Sequence, residues 1–151
     1  AFELNLLSVV RTIRAVLPYM RKQKSGRIVN ITSSSVKQSL DHLILSNTFR
    51  IGVMGLAKSL SQELAKDDIL INTVGPGKIA TDRLKELDGK QAKTIGMCLE
   101  EFREKSEKQI PIGRYGTPEE FANVIVFLCS EANTYVTGQT LLVDGGLVKA
   151  L

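Results

Sequence analysis

Three groups of residues in this 151-residue chain have types and spacings suited to chemistry. Ser46 and Arg50 stand four apart in the run ILSNTFRIGVMGLAKSLSQELAK, so on a helix they share one face and point into one cleft. A serine hydroxyl is a far weaker acid than a phenol of pKa about 10. A guanidinium keeps its charge and offers a fork of donors, but it relays no proton. Upstream, Ser33-Ser34-Ser35 close the β-branched run RIVNIT; such a cluster either acts through its hydroxyls or simply turns the chain. Downstream, Gly75-Pro76-Gly77 ends a second apolar run, ILINTV, and leads into Ile79 and Thr81. His42, with Asp41 beside it, titrates near neutrality and is an alternative acid, although a lone loop histidine is as readily plain surface. Lys37 and an ordered water are further candidates.

The elements that must position these residues are legible from periodicity. Apolar residues from Leu6 to Met20 recur at three- and four-residue steps, which predicts an amphipathic helix over residues 3–24, with Pro18 inside it. RIVNIT and ILINTV read as buried strands, and residues 46–66 as a second helix ended by Asp67-Asp68. Residues 82–110 form a charged, partly helical excursion of the kind that serves as a lid or binding loop. Thr117-Pro118-Glu119-Glu120 carries a capping box with proline at the first helical position. The helix FANVIVFLCSEA that follows is apolar nearly all round, which predicts burial, and TLLVDGG reads as a third strand. Helix and strand alternating with short joints predict a parallel sheet with helical crossovers.

The net charge of +4 is spread among acidic residues, so the charges read as solvated helix faces and not as a nucleic-acid footprint. Cys98 and Cys129 are far apart and His42 is the single histidine, which argues against a metal site or a disulfide framework and suits a reducing cytoplasm. No stretch approaches the 18 or so apolar residues of a membrane span.

Six segments in order then resemble the short-chain dehydrogenase/reductase family, of the 3-oxoacyl-acyl-carrier-protein reductase type. They are N-L-x-S at Asn5–Ser8, GRIVNITS at 26–33, GLAKSLSQELA at 55–65, INTVGPGKIATD at 71–82, IPIGRYGTPEEFANVIVFLCS at 110–130 and YVTGQTLLVDGG at 135–146. The resemblance implies a Rossmann-like doubly wound α/β fold and hydride transfer between NADP or NAD and a small carbonyl/alcohol substrate. It makes Ser33 the group that orients the substrate oxygen and Asn5 the asparagine of a proton relay. Pro76, Gly77, Ile79 and Thr81 become the segment around the nicotinamide. The family's catalytic Tyr-x-x-x-Lys falls on Ser46 and Arg50, so the frame is kept while the usual proton donor is absent. Arg50 retains the means to hold a ribose. Tyr19, Tyr115 and Tyr135 match structural positions, and Lys78, Arg83 and Lys85 stand where they would meet an anionic substrate or phosphate.

The family's glycine-rich turn has no counterpart in these residues. Residues 1–151 therefore match the carboxyl-terminal part of a single domain, three parallel strands with an open edge. An open parallel edge is an aggregation hazard, so the segment is expected not to fold stably alone; a soluble, cooperatively melting monomer would refute this. The two long helices, and separately the last helix and strand, match the family's dimer interfaces and imply a homodimer or homotetramer.

Overall fold

The computed structural model describes residues 1–41 and 43–150. A five-residue π-helical turn, Glu3–Leu7, runs directly into helix α1, Ser8–Gln23, which holds Pro18 and ends on Lys24 in the left-handed conformation. Strand β1, Gly26–Ile31, follows, then a short 3-10 turn at Ser34–Val36 and helix α2, Ile44–Leu64. Asp68, also left-handed, turns the chain into strand β2, Ile69–Pro76. Helices α3, Asp82–Thr94, and α4, Leu99–Glu107, make up the charged excursion. Helix α5, Pro118–Cys129, and strand β3, Thr140–Val143, complete the chain.

The three strands form one parallel sheet in the order β1-β2-β3. Strand β2 is paired on both sides, and its β-branched residues explain its central place: Ile69, Ile71 and Val74 are fully buried. Each such side chain contributes roughly 1.5–3 kcal/mol relative to exposure. Ile71 packs with Ile13 of α1 and Ala57 of α2, so both long helices cover one face of the sheet. Strand alternation turns Asn72 to the other face, where its side chain bonds the Val136 carbonyl and the Gln139 amide and fixes the approach to β3.

One expectation needs refinement and one needs correction. The partly helical excursion over 82–110 resolves into two helices that both carry caps, Thr81 Oγ1 accepting from the Leu84 amide and Cys98 sharing a capping box with Glu101. Helix α5 is not buried all round. It rests on β1 and β2 and buries Leu128, while Val126 and Phe127 stay 64% and 44% exposed because nothing among the described residues covers their side. Tyr19 and Tyr135 are likewise surface residues, with only Tyr115 of the three tyrosines buried. Among the described residues no helix is long and apolar enough to cross a membrane.

Candidate active site

The carboxyl ends of β1 and β2 open onto a cleft of about 510 Å³. Two close approaches hold the chain segments around it together. A Cβ on Gly75 would come within 2.6 Å of the Ser33 carbonyl oxygen, and one on Gly77 within 2.5 Å of Asp144 Cβ, so only glycine lets these chain segments touch. The Thr32 amide donates to the Val74 carbonyl at 2.8 Å, and the Gly77 amide to the Val143 carbonyl at 3.0 Å. Ser33 is thereby held against Gly75, at the end of β2.

Arg50 reaches in from α2. Its Nε donates to Ser46 Oγ at 3.0 Å, one turn back, and its Nη1 donates to the Thr32 carbonyl at 2.9 Å, at the strand end. Ser33 Oγ accepts from the Ser35 amide at 3.1 Å, the local turn that a serine cluster favours. Ile79 bridges to Gly116, and its carbonyl accepts from the Thr81 amide. Seven of the eight residues singled out in the sequence line this one cleft: Ser33, Ser46, Arg50, Pro76, Gly77, Ile79 and Thr81.

Asn5 does not line it. It lies in the π-helical turn, where its side chain donates to the Ala1 carbonyl. That wider turn packs against α2, with Phe2 and Phe49 ring centroids 5.6 Å apart. Lys37 and Asp41 are exposed and outside the lining, and His42 lies outside the described residues.

Lys78 also differs from its expected role as a free cation. Its Nζ lies 3.3 Å from Asp88 Oδ1 and packs over the rings of Phe102 and Tyr115. Asp88, buried on α3, accepts in turn from the Tyr115 hydroxyl at 2.7 Å. Burial, with the Asp88 bond adding to it, pushes the Tyr115 phenol up to about 12. Of the remaining two basic candidates, Arg83 lines the cleft while bonded to Glu86, and Lys85 faces a second, 340 Å³ cavity behind α3.

The apolar wall of the cleft escaped the sequence reading. Leu84 and Leu87 share a face of α3, and Phe121 lies one turn past the Thr117 cap. The i, i+3 spacing of the two leucines inside a charged helix was the available signal.

A parallel sheet covered by helices, with polar groups gathered at the carboxyl ends of its strands, is the arrangement of a nucleotide-binding α/β protein. A family model described as enoyl-(acyl carrier protein) reductase matches residues 1–148. The chain belongs to that family, within the short-chain dehydrogenases/reductases. It is 39% identical over 145 residues to the 3-oxoacyl-[acyl-carrier-protein] reductase of Aquifex aeolicus, covering 96% of this chain and 54% of that protein. It is 40% identical over 147 residues to the corresponding reductase of Synechocystis sp., covering 97% and 54%. L-sorbose reductase from Gluconobacter frateurii, solved with NADPH and L-sorbose, superposes with a TM-score of 0.91 at 34% identity, covering 99% of this chain and 57% of that one. The chain thus spans about half the length of the curated relatives it matches.

Proposed function

We propose that residues 1–151 form the carboxyl-terminal, substrate-binding part of an NADP(H)- or NAD(H)-dependent reductase acting on a carbonyl/alcohol pair, a 3-oxoacyl thioester or a small ketone. The observation that carries this reading is the convergence of Ser33, Ser46 and Arg50 with the Pro76–Thr81 segment on one cleft. The NADPH bound in the sorbose reductase favours NADP(H). Pro76 and Gly77 line the cleft with little side chain between backbone and solvent, which suits a flat ring laid against them.

In this reading Ser33 orients the substrate oxygen. Arg50 holds the ribose and supplies a fixed positive field, and the Ile79 backbone with Thr81 meets the carboxamide. The nicotinamide supplies the hydride. Asn5 belongs to a water relay, which the widened turn around it supports. The proton comes from Ser46, His42, Lys37 or water; with Lys37 away from the cleft, a water-fed route through Ser46 fits the geometry best. Losing a positioned acid typically costs on the order of 10²–10⁴ in rate, so slow turnover is expected.

The open edge of β1 supports a further strand layer supplied by the rest of the polypeptide. Ile31 is 56% exposed there, and the groove between α1 and β1 is lined by Val9, Val16 and Ile28. The uncovered Ile44, Leu45 and Ile51 on α2, and Val126 and Phe127 on α5, support two interfaces and hence a homodimer or homotetramer, which light scattering would test. Cys98 and Cys129 are free and exposed, in keeping with a reducing cytoplasm.

A second reading, a nucleotide- or partner-binding protein with impaired turnover, is favoured by one feature: among the described residues no phenol lines the cleft, where Ser46 accepts from Arg50. NADPH and NADH oxidation by the full polypeptide against ketones and acyl thioesters separates the two. Slow turnover that Ser33→Ala lowers by about 10² supports the reductase. Saturable cofactor binding without turnover supports the binding protein.

A further inference from the structure

Every polar side chain in the cleft's lining is a hydroxyl or a guanidinium, so each can donate. Ser33 Oγ already accepts from the Ser35 amide and Ser46 Oγ from Arg50 Nε, so each hydroxyl keeps its own proton to give. Arg50 uses two of its five N–H groups, on Ser46 and on the Thr32 carbonyl, and three remain. Among the described residues the lining contains two arginines and no carboxylate. Arg83 is partly neutralised by Glu86 in solvent, so Arg50 is the dominant charge. The donors come from the β1 end and α2, whereas Leu84 and Leu87 of α3 and Phe121 of α5 supply an apolar wall. The neighbouring 340 Å³ cavity is different: Asp82, Asp88 and Glu100 offset Lys85 and Arg103 there.

A neutral carbonyl uses little of such a site. A carboxylate offers four lone-pair positions and a negative charge, which match two hydroxyl donors and a fork that cannot lose its proton. A cation would face Arg50 without a counter-charge. A phosphate dianion would be desolvated against leucine and phenylalanine at greater cost than a monoanion with an alkyl tail. We propose that the cleft, before cofactor and carbonyl substrate enter it, binds a short aliphatic carboxylate, its oxygens on the remaining N–H groups of Arg50 and on Ser46 and Ser33 and its chain along Leu84, Leu87 and Phe121.

The test titrates butanoate, butanamide and inorganic phosphate into the full polypeptide, following the Arg50 Nε–H resonance by NMR. Butanoate is expected to saturate and shift that resonance, with butanamide at least about tenfold weaker, as loss of a charge-assisted bond implies. Arg50→Gln should weaken butanoate by about ten- to a hundredfold. Ser46→Ala, which keeps the charge and the Thr32 bond, should weaken it by about threefold to tenfold. Equal binding of butanamide, tighter binding of phosphate, or an unshifted Arg50 resonance would each overturn the proposal. The outcome is separable from the reductase reading. Turnover of neutral ketones without butanoate binding sinks this proposal alone, and butanoate binding without turnover sinks the other alone.

Discussion

Two clusters in this molecule hold nearly the same chemical parts and put them to opposite uses. At the cleft stand a hydroxyl and a guanidinium, Ser46 and Arg50, which we propose occupy the places of the family's phenol and ammonium. Behind α3, a phenol and an ammonium do meet: Tyr115 and Lys78 both bind Asp88. The phenol there is pushed up to about 12, away from any useful acidity, and the ammonium is packed between two rings. Residue type alone therefore makes no catalytic acid. Burial and a carboxylate partner turn the Tyr–Lys pair into a fastener joining the α3–α4 cap to the strand end that carries Ile79 and Thr81. The exposed cleft keeps a fixed charge and two hydroxyl donors.

The largest effect that sharpens this contrast is expected from Asp88→Ala. It leaves Lys78 and the Tyr115 hydroxyl without their common acceptor in a buried setting, and denaturant melts should show a loss of about 3 kcal/mol. A loss below 0.5 kcal/mol, on the scale of an exposed pair, would show that the fastener does not hold the cap. Tyr115→Phe removes one bond to a charged group and should cost about 1–2 kcal/mol. The same variant reports on pH. Because the folded phenol titrates above its ordinary 10.0, the stability it contributes is complete below pH 10 and fades as the pH rises towards about 12. Alkaline melts of Tyr115→Phe should lack that decline.

The smallest effect is expected at the α5 cap. Thr117→Ala loses the bond to the Glu120 amide and should cost about 1 kcal/mol. Arg114, with the Thr117 amide, holds the Glu120 carboxyl down to about 2. The stability from that carboxylate is present above its ordinary 4.5 and is lost as the pH falls towards 2. Glu120→Gln should flatten this acid limb in melts between pH 5 and about 2.

Much of the frame could be read from sequence because each element carried a local signal. The β-branched run Ile69–Val74, the Thr117–Glu120 box and the Gly75-Pro76-Gly77 break all act over a few residues. The excursion was harder, since its helices bury few residues and its caps, Thr81 and Cys98, are weaker cues inside charged text. Asp88 gave a faint signal, falling on one helical stripe with Leu84 and Ala92, where an acidic residue implies a buried partner. That partner, Lys78 with Tyr115, is ten residues upstream and 27 downstream, beyond the reach of periodicity. The exposure of Val126 and Phe127 depends on which surfaces the chain itself covers, and an apolar helix reads alike whether its cover is its own core or another subunit.

The most direct test of the account concerns the cleft's missing acid. NADPH oxidation with a 3-oxoacyl thioester, measured on the full polypeptide carrying Ser46→Tyr with Arg50→Lys, should rise above the parent by on the order of 10²–10⁴. The Ser33→Ala substitution should lower activity in both backgrounds. An unchanged or lower rate in the double variant, with cofactor binding intact, would contradict the claim that the cleft holds the geometry for reduction and lacks only its proton donor.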